Sequence, residues 1–265
     1  MTTAICLWSG PRNVSTALMY SFAQNDNVAV IDEPLYGHYL RVTGAEHPGR
    51  EEVIAAMNCD GDAVMRELLR RQAKNPEPRL FVKHMAHQLV DIDLGFLRET
   101  CNIFLIRDPR DMLPSLSIQL PEPCLADTGL RRQWELFSGL LDAGQAPAIL
   151  DSRELLTSPR TVLGALCEHI GLPFTPAMLN WKAGPRPEDG VWAPHWYHAV
   201  HRSTGFAAYR AKTEFPDRLQ PLLEECQPWY DRLFKHAIRA DSKGAERRPQ
   251  STRATRTSSS TSTAS

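Results

Sequence analysis

Between the apolar run at residues 4–8 and a helix-like stretch stands Ser9-Gly10-Pro11-Arg12-Asn13-Val14-Ser15-Thr16. A strand that stops in a tight loop and restarts as a helix aims unpaired N–H groups and a helix N-terminus at one point, which favours an anion. Arg12 adds a positive charge there, and Ser15 and Thr16 add hydroxyls. A second constellation is FLIRDPRDMLPS at 104–115, where Arg107 ends an apolar run and Ser115 follows eight residues later. A guanidinium at a strand tip can fork to two phosphate oxygens. Groups able to take a proton form a third set. VIDEPLYGH carries Glu33 just past an apolar run, and FVKHMAH carries Lys83, His84 and His87. Each set has a plain alternative. The loop could be an ordinary connection with a surface Arg12. Arg107 could pair with Asp108 or Asp111. Glu33 could be an exposed turn acid, and the histidines could serve packing.

These groups need elements to hold them. Residues 3–8 read as a buried strand, and 14–24 place Val14, Leu18 and Phe22 on one helical face, with Ala17 beside them. Further strands are expected at 27–32, 79–84, 102–107 and 146–150, with an amphipathic helix at 62–74. The helix at 158–170 is punctuated by Ser158 at the N-cap, Pro159 at its first position and Gly171 at its stop. Strands alternate with helices, and the apolar runs are nearly continuous, as in strands covered on both faces. The fold class implied is α/β, a parallel sheet with helices on both sides. Ligands in such sheets bind beyond the carboxyl ends of the strands. Segments 9–16, 32–33, 83–87 and 107–108 all fall there.

With 265 residues, 42% of them hydrophobic, the chain can bury one full core. Thirty Lys+Arg against 31 Asp+Glu give a net charge of -1, which suggests neither nucleic-acid nor membrane-surface binding. Six scattered cysteines without a C-x-x-C argue against a disulfide framework or a cysteine zinc site. No signal peptide precedes the first strand and no apolar run is as long as a membrane span, so a cytoplasmic location is expected. Residues 182–206, rich in Gly, Pro, His and Trp, read as a long loop or lid. Trp192, Trp196 and Tyr197 there could wall an acceptor pocket or pack the loop against the domain. His195, His198 and His201 drift around a helix at that spacing and do not suit a metal site. Residues 213–239 return to helix, and 241–265 should be a disordered low-complexity tail behind a single domain at 1–240.

A Walker A loop needs G-x-x-x-x-G-K-[ST]. Counted from Gly10, its second Gly is Ser15, its Lys is Thr16 and its hydroxyl position is Ala17. The two spaced pieces together resemble the PAPS-dependent sulfotransferases instead. GPRNVST is similar to their 5'-phosphosulfate loop, commonly written P-K-S-G-T-T, and RDPRDMLPS to their 3'-phosphate motif. Residues 149–181 resemble the segment these enzymes carry after their core sheet, so that the likeness runs over about 4–206. The resemblance implies a P-loop-like three-layer sandwich, PAPS as donor co-substrate, PAP as product and no required metal. By position it implies that Gly10, Pro11, Arg12, Asn13, Val14, Ser15 and Thr16 hold the 5'-phosphosulfate, and that Arg107 and Ser115 hold the 3'-phosphate. Arg202 sits roughly where the family has a late basic loop. Two departures stand out: Arg12 replaces the loop Lys, and Val14 replaces a Gly. Arg keeps the charge but cannot give up a proton. Val14 needs a backbone conformation that a β-branched residue tolerates.

Glu33 looks like the base Glu of carbohydrate and tyrosyl-protein sulfotransferases. Lys83, His84 and His87 are similar to the K-T-H stretch of the cytosolic enzymes, though His84 follows Lys83 directly. Glu33 is the preferred base. The expected function is therefore sulfuryl transfer from PAPS to a hydroxyl or amine on an unidentified small-molecule acceptor. A P-loop nucleotide kinase or NTPase, and a non-catalytic PAP-binding protein, are the alternatives. Oligomeric state is left open, a homodimer being one option.

Overall fold

The computed structural model describes residues 3–211 and 214–240. The tail expected at 241–265 lies outside the described residues. Six strands are formed: β1 (Ile5–Ser9), β2 (Val28–Asp32), β3 (Arg79–Met85), β4 (Cys101–Ile106), β5 (Ala148–Asp151) and β6 (Ala237–Ile238). They make one sheet in the order β2-β3-β1-β4-β5-β6, and every neighbouring pair is parallel. Chain order reverses across β1, with β2 and β3 on one side and β4, β5 and β6 on the other. A crevice opens at the carboxyl ends of strands at such a switch point.

Both sheet faces are buried, which is why the strands read as unbroken apolar runs. Cys6, Trp8, Leu80, Val82, Phe104 and Ile106 pack with Leu136, Phe137 and Leu140 of helix Leu130–Asp142 and with Leu223 and Leu233 of helix Gln220–Phe234. The alternate residues Ile5, Leu7, Phe81, Ile103 and Leu105 pack with Leu18 and Phe22 of helix Ser15–Phe22 and with Val162, Leu163 and Leu166 of helix Pro159–Ile170.

Three expectations are corrected. Helix Gln220–Phe234 ends before the segment that supplies β6, because Ala237 and Ile238 pair with Ile149 and Leu150 and extend the sheet. Segment 182–206 is not all loop: it forms the short helices Ala193–Trp196 and His198–His201. Its Trp192, Ala193 and Tyr197 pack on Tyr36 and Leu40 of helix Tyr36–Thr43. Ser158 stands at its N-cap position, but its hydroxyl bonds Thr161 Oγ1 at 2.9 Å instead of a backbone N–H.

At the end of β5, Asp151 is fully buried and caps helix Ser152–Thr157 through the N–H groups of Arg153 and Glu154, while Tyr230 Oη donates to its other oxygen at 3.1 Å. Burial outweighs those hydrogen bonds and pushes its carboxyl up to about 6. An acid raised in the folded state gives stability that is complete below its unfolded pKa near 4 and lost as pH rises through 6. Asp151→Asn, which keeps a capping oxygen, is expected to raise the urea midpoint at pH 8 and to have little benefit at pH 4. A variant less stable at both pH values would contradict this.

Candidate active site

The cleft lies at the carboxyl edge of β1, β2, β3 and β4, with a volume of about 450 Å³. One end is the loop after β1. Gly10 is held at its base by close approach: a Cβ there would lie 2.7 Å from the Thr128 carbonyl oxygen. Arg12 takes the positive φ of the loop, 53°, and Val14 sits at φ -88° and ψ 27°. The β-branched residue thus avoids the left-handed region and the strain falls on Arg12, a pattern often seen at functional sites. Asn13 is spent on structure. Its Nδ2 donates to the Leu105 carbonyl at 2.8 Å, and its Oδ1 accepts from Ser152, whose hydroxyl also reaches Ile106 O at 2.9 Å. Helix Ser15–Phe22 starts with no side-chain cap, so its first N–H groups are open toward the cleft.

Arg12 Nε donates to Ser115 Oγ at 3.0 Å, and Arg107 Nη1 donates to the Arg12 carbonyl at 2.6 Å. Helix Pro109–Leu116, capped by Asp108 through the Arg110 N–H, carries Ser115 to this point. The eight-residue separation of Arg107 and Ser115 is therefore one strand tip plus two helical turns. Both guanidiniums are half-buried, and among the described residues neither forms an ion pair with a carboxylate. Burial and then the neighbouring Arg107 lower the pKa of Arg12. Two partly desolvated cations beside an open helix N-terminus make a site for a multiply charged anion.

At the other end, Asp32 closes β2 opposite Lys83 of β3. Lys83 Nζ donates to Asp32 Oδ1 at 2.8 Å, Glu33 Oε1 at 2.6 Å and Tyr197 Oη at 2.7 Å. Tyr197 Oη in turn donates to Asp32 Oδ2 at 2.6 Å, and Gln88 Nε2 donates to Glu33 Oε2 at 2.7 Å. Burial opposes the charge on Lys83, but Asp32, Glu33 and Tyr197 outweigh it and hold its pKa well above the usual lysine value. Burial raises Tyr197 likewise, so its hydroxyl stays protonated. Glu33 adopts φ 36°, a second strained non-glycine residue in the cleft. Each of its oxygens accepts one hydrogen bond here, which leaves lone pairs for a substrate proton.

Residues 3–237 match the family described as "Sulfotransferase domain". The chain belongs to that family. Two curated Arabidopsis thaliana proteins named branched-chain-amino-acid aminotransferase-like protein 2 and protein 1 are each 39% identical to it, over 86% and 89% of this chain. The chain spans 41% and 42% of their lengths. The crystal structure of a sulfotransferase from Alicyclobacillus acidocaldarius superposes with a TM-score of 0.54 at 14% identity, over 90% of this chain and 97% of that one, which is a likeness of fold. The P-loop-like α/β class expected from sequence is thus the class of the family.

Within this sulfotransferase domain, Pro11, Arg12, Asn13, Val14, Ser15, Thr16, Arg107, Ser115, Glu33, Lys83 and His87 all line the cleft. Gly10, His84 and Arg202 are not brought to it. His84 points to the opposite sheet face from Lys83 and stacks on Trp8 at 4.4 Å; burial and then Lys83 push it down to about 3. Alternation along β3 imposes this: adjacent residues of a strand cannot share a face. Arg202 is exposed, and its neighbour Ser203 lines the cleft instead. His87 lies edge-on to Tyr39 at 5.3 Å, and burial pushes it down to about 4, so it is neutral at pH 7. Sequence reasoning missed Asp32, Gln88, Ser152, Tyr36, Tyr39 and His47. The Tyr36/Tyr39 spacing on one helix was a readable signal. The clamp by Ser152, 139 residues from Asn13, had none.

Proposed function

We propose that this domain transfers a sulfuryl group from PAPS to a hydroxyl on a small acceptor, with Glu33 as the base. The observation that carries the reading is the opposition, in one cleft, of the Arg12/Arg107 pair and the open helix N-terminus to the Glu33 carboxylate. In this reading Arg12 and the N–H groups of Ser15 and Thr16 hold the phosphosulfate, while Arg107 and Ser115 hold the 3'-phosphate. The acceptor oxygen forms a bond to sulfur as sulfur's bond to the bridging phosphate oxygen breaks. The acceptor proton passes to Glu33, and PAP leaves with the electron pair. Positive charge placed in advance where charge builds lowers the barrier without reorganisation. Lys83 and Gln88 hold the Glu33 carboxylate in place. The same reading assigns the domain a small-molecule partner, no nucleic acid and a cytoplasmic setting. Among the described residues no helix is long and apolar enough to cross a membrane.

Calorimetric titration with PAP, and with ATP plus magnesium, on wild type and Arg107→Ala tests the donor assignment. Loss of charged hydrogen bonds to phosphate is expected to weaken PAP by about 2–3 kcal/mol. Metal-independent PAP binding that falls in the variant supports the reading. Binding of magnesium-ATP alone would replace it with a kinase.

A further inference from the structure

Resting on that reading, we infer that the acceptor is a small alcohol carrying a positive charge, an amino or quaternary ammonium alcohol. The charges lining the cleft are segregated. Among the described residues its cations are Arg12, Lys83 and Arg107, and its acids are Glu33, Glu46 and Asp127. Arg12 feels Arg107, and the carboxylates that act on Arg107, Asp111, Asp151 and Asp108, lie outside the cleft lining, whereas Glu33 and Asp127 both act on His47 and His87 at the far end. Among the described residues that line the cleft, Lys83 is the one cation at that end, and Asp32 and Glu33 already match it. An anionic acceptor would meet uncompensated carboxylates there, and a cationic one satisfies them.

The same end is aromatic. Tyr36 meets Trp192 edge-on at 5.2 Å, and His47 lies 5.8 Å from Tyr36 and Tyr39 and 5.9 Å from Trp196. Aromatic rings gathered with carboxylates attract alkylammonium groups through the ring quadrupoles as well as by charge. Burial lowers the pKa of both His47 and His87, so neither adds a competing positive charge at neutral pH. Gln88 lines the cleft, and its Oε1 is buried without a partner among the described residues, which offers one more acceptor. With the ammonium on the rings, the hydroxyl of a short alcohol lies toward Glu33 and the donor end. The ammonium takes no part in the transfer; its role is placement.

The test compares choline with 3,3-dimethylbutan-1-ol, which has the same shape with carbon in place of the charged nitrogen, in a radiolabelled transfer assay from PAPS. Choline or ethanolamine is expected to exceed the neutral alcohol at least tenfold in kcat/KM, with tetramethylammonium competing against the charged substrate. Glu46→Gln, an exposed change, and Asp127→Asn, which retains the oxygen that accepts from the Cys124 N–H, should each cut that preference at least threefold and leave PAP affinity unchanged. Equal or better use of the neutral alcohol, or no transfer to either cation while PAP binds, overturns the inference and leaves the donor assignment standing. If PAP does not bind, titration with tetramethylammonium alone still decides. Saturable binding weakened by Asp127→Asn supports the cationic chamber, and its absence overturns it.

Discussion

Glu33→Gln is expected to lower kcat by about 10²–10⁴ while leaving PAP affinity nearly unchanged. The amide matches the carboxylate in shape but cannot take the acceptor proton. Its oxygen can still accept from Lys83, as Glu33 Oε1 does at 2.6 Å. The new NH2 would face Gln88 Nε2, but Gln88 Oε1 has no partner among the described residues, so a flip of that side chain restores the hydrogen bond. The variant should therefore fold and bind the donor, and single-turnover transfer of radiolabelled sulfate checks the loss. Unaltered transfer would remove Glu33 as the base. His87 would be a poor replacement, because burial holds it near 4 and leaves it weakly basic.

Lys83→Met is expected to destabilise the fold by about 3–5 kcal/mol, the usual consequence of leaving one half of a buried ion cluster unmatched. Lys83 is 1% exposed and bridges two neighbouring carboxylates and a tyrosine more than 100 residues away along the chain from it. Tyr197 also anchors the 182–206 segment to the sheet edge, so the loss should loosen that wall of the cleft. In the wild type the lysine pKa is raised, so its stabilising contribution is complete below its unfolded value near 10 and is lost only above that. In the variant Asp32, whose pKa burial already raises against the pull of Lys83, is left without its cation, and protonation relieves it. Urea midpoints should therefore show a larger deficit at pH 8 than at pH 5, and adding Asp32→Asn should recover part of it. An equal deficit at both pH values would mean that lost packing, not charge, is responsible.

The local sequence by itself determined the two pieces that bring Arg12 and Arg107 to the cleft and most of the elements that carry them. Continuous apolar runs read as strands buried on both faces. A Gly-Pro-Arg-Asn stop before a helix read as a cradle, and Arg107 with Ser115 read as a strand tip and the helix after it. Each of those signals lies within about a dozen residues, where backbone geometry is fixed by covalent neighbours. Tertiary structure alone decided what faces what. The parallel register that sets Asp32 beside Lys83 joins strands 51 residues apart, and no local pattern encodes it. Strand alternation sent His84 into the core and Lys83 into the cleft, though both look equally able to take part in chemistry when read in a line. The strained backbone at Arg12 and Glu33, the two-residue strand β6 and the folding of Tyr36, His47 and Trp196 into one chamber depend on long-range packing too. That packing is set by which surfaces bury together, a property of the whole chain and not of any one segment.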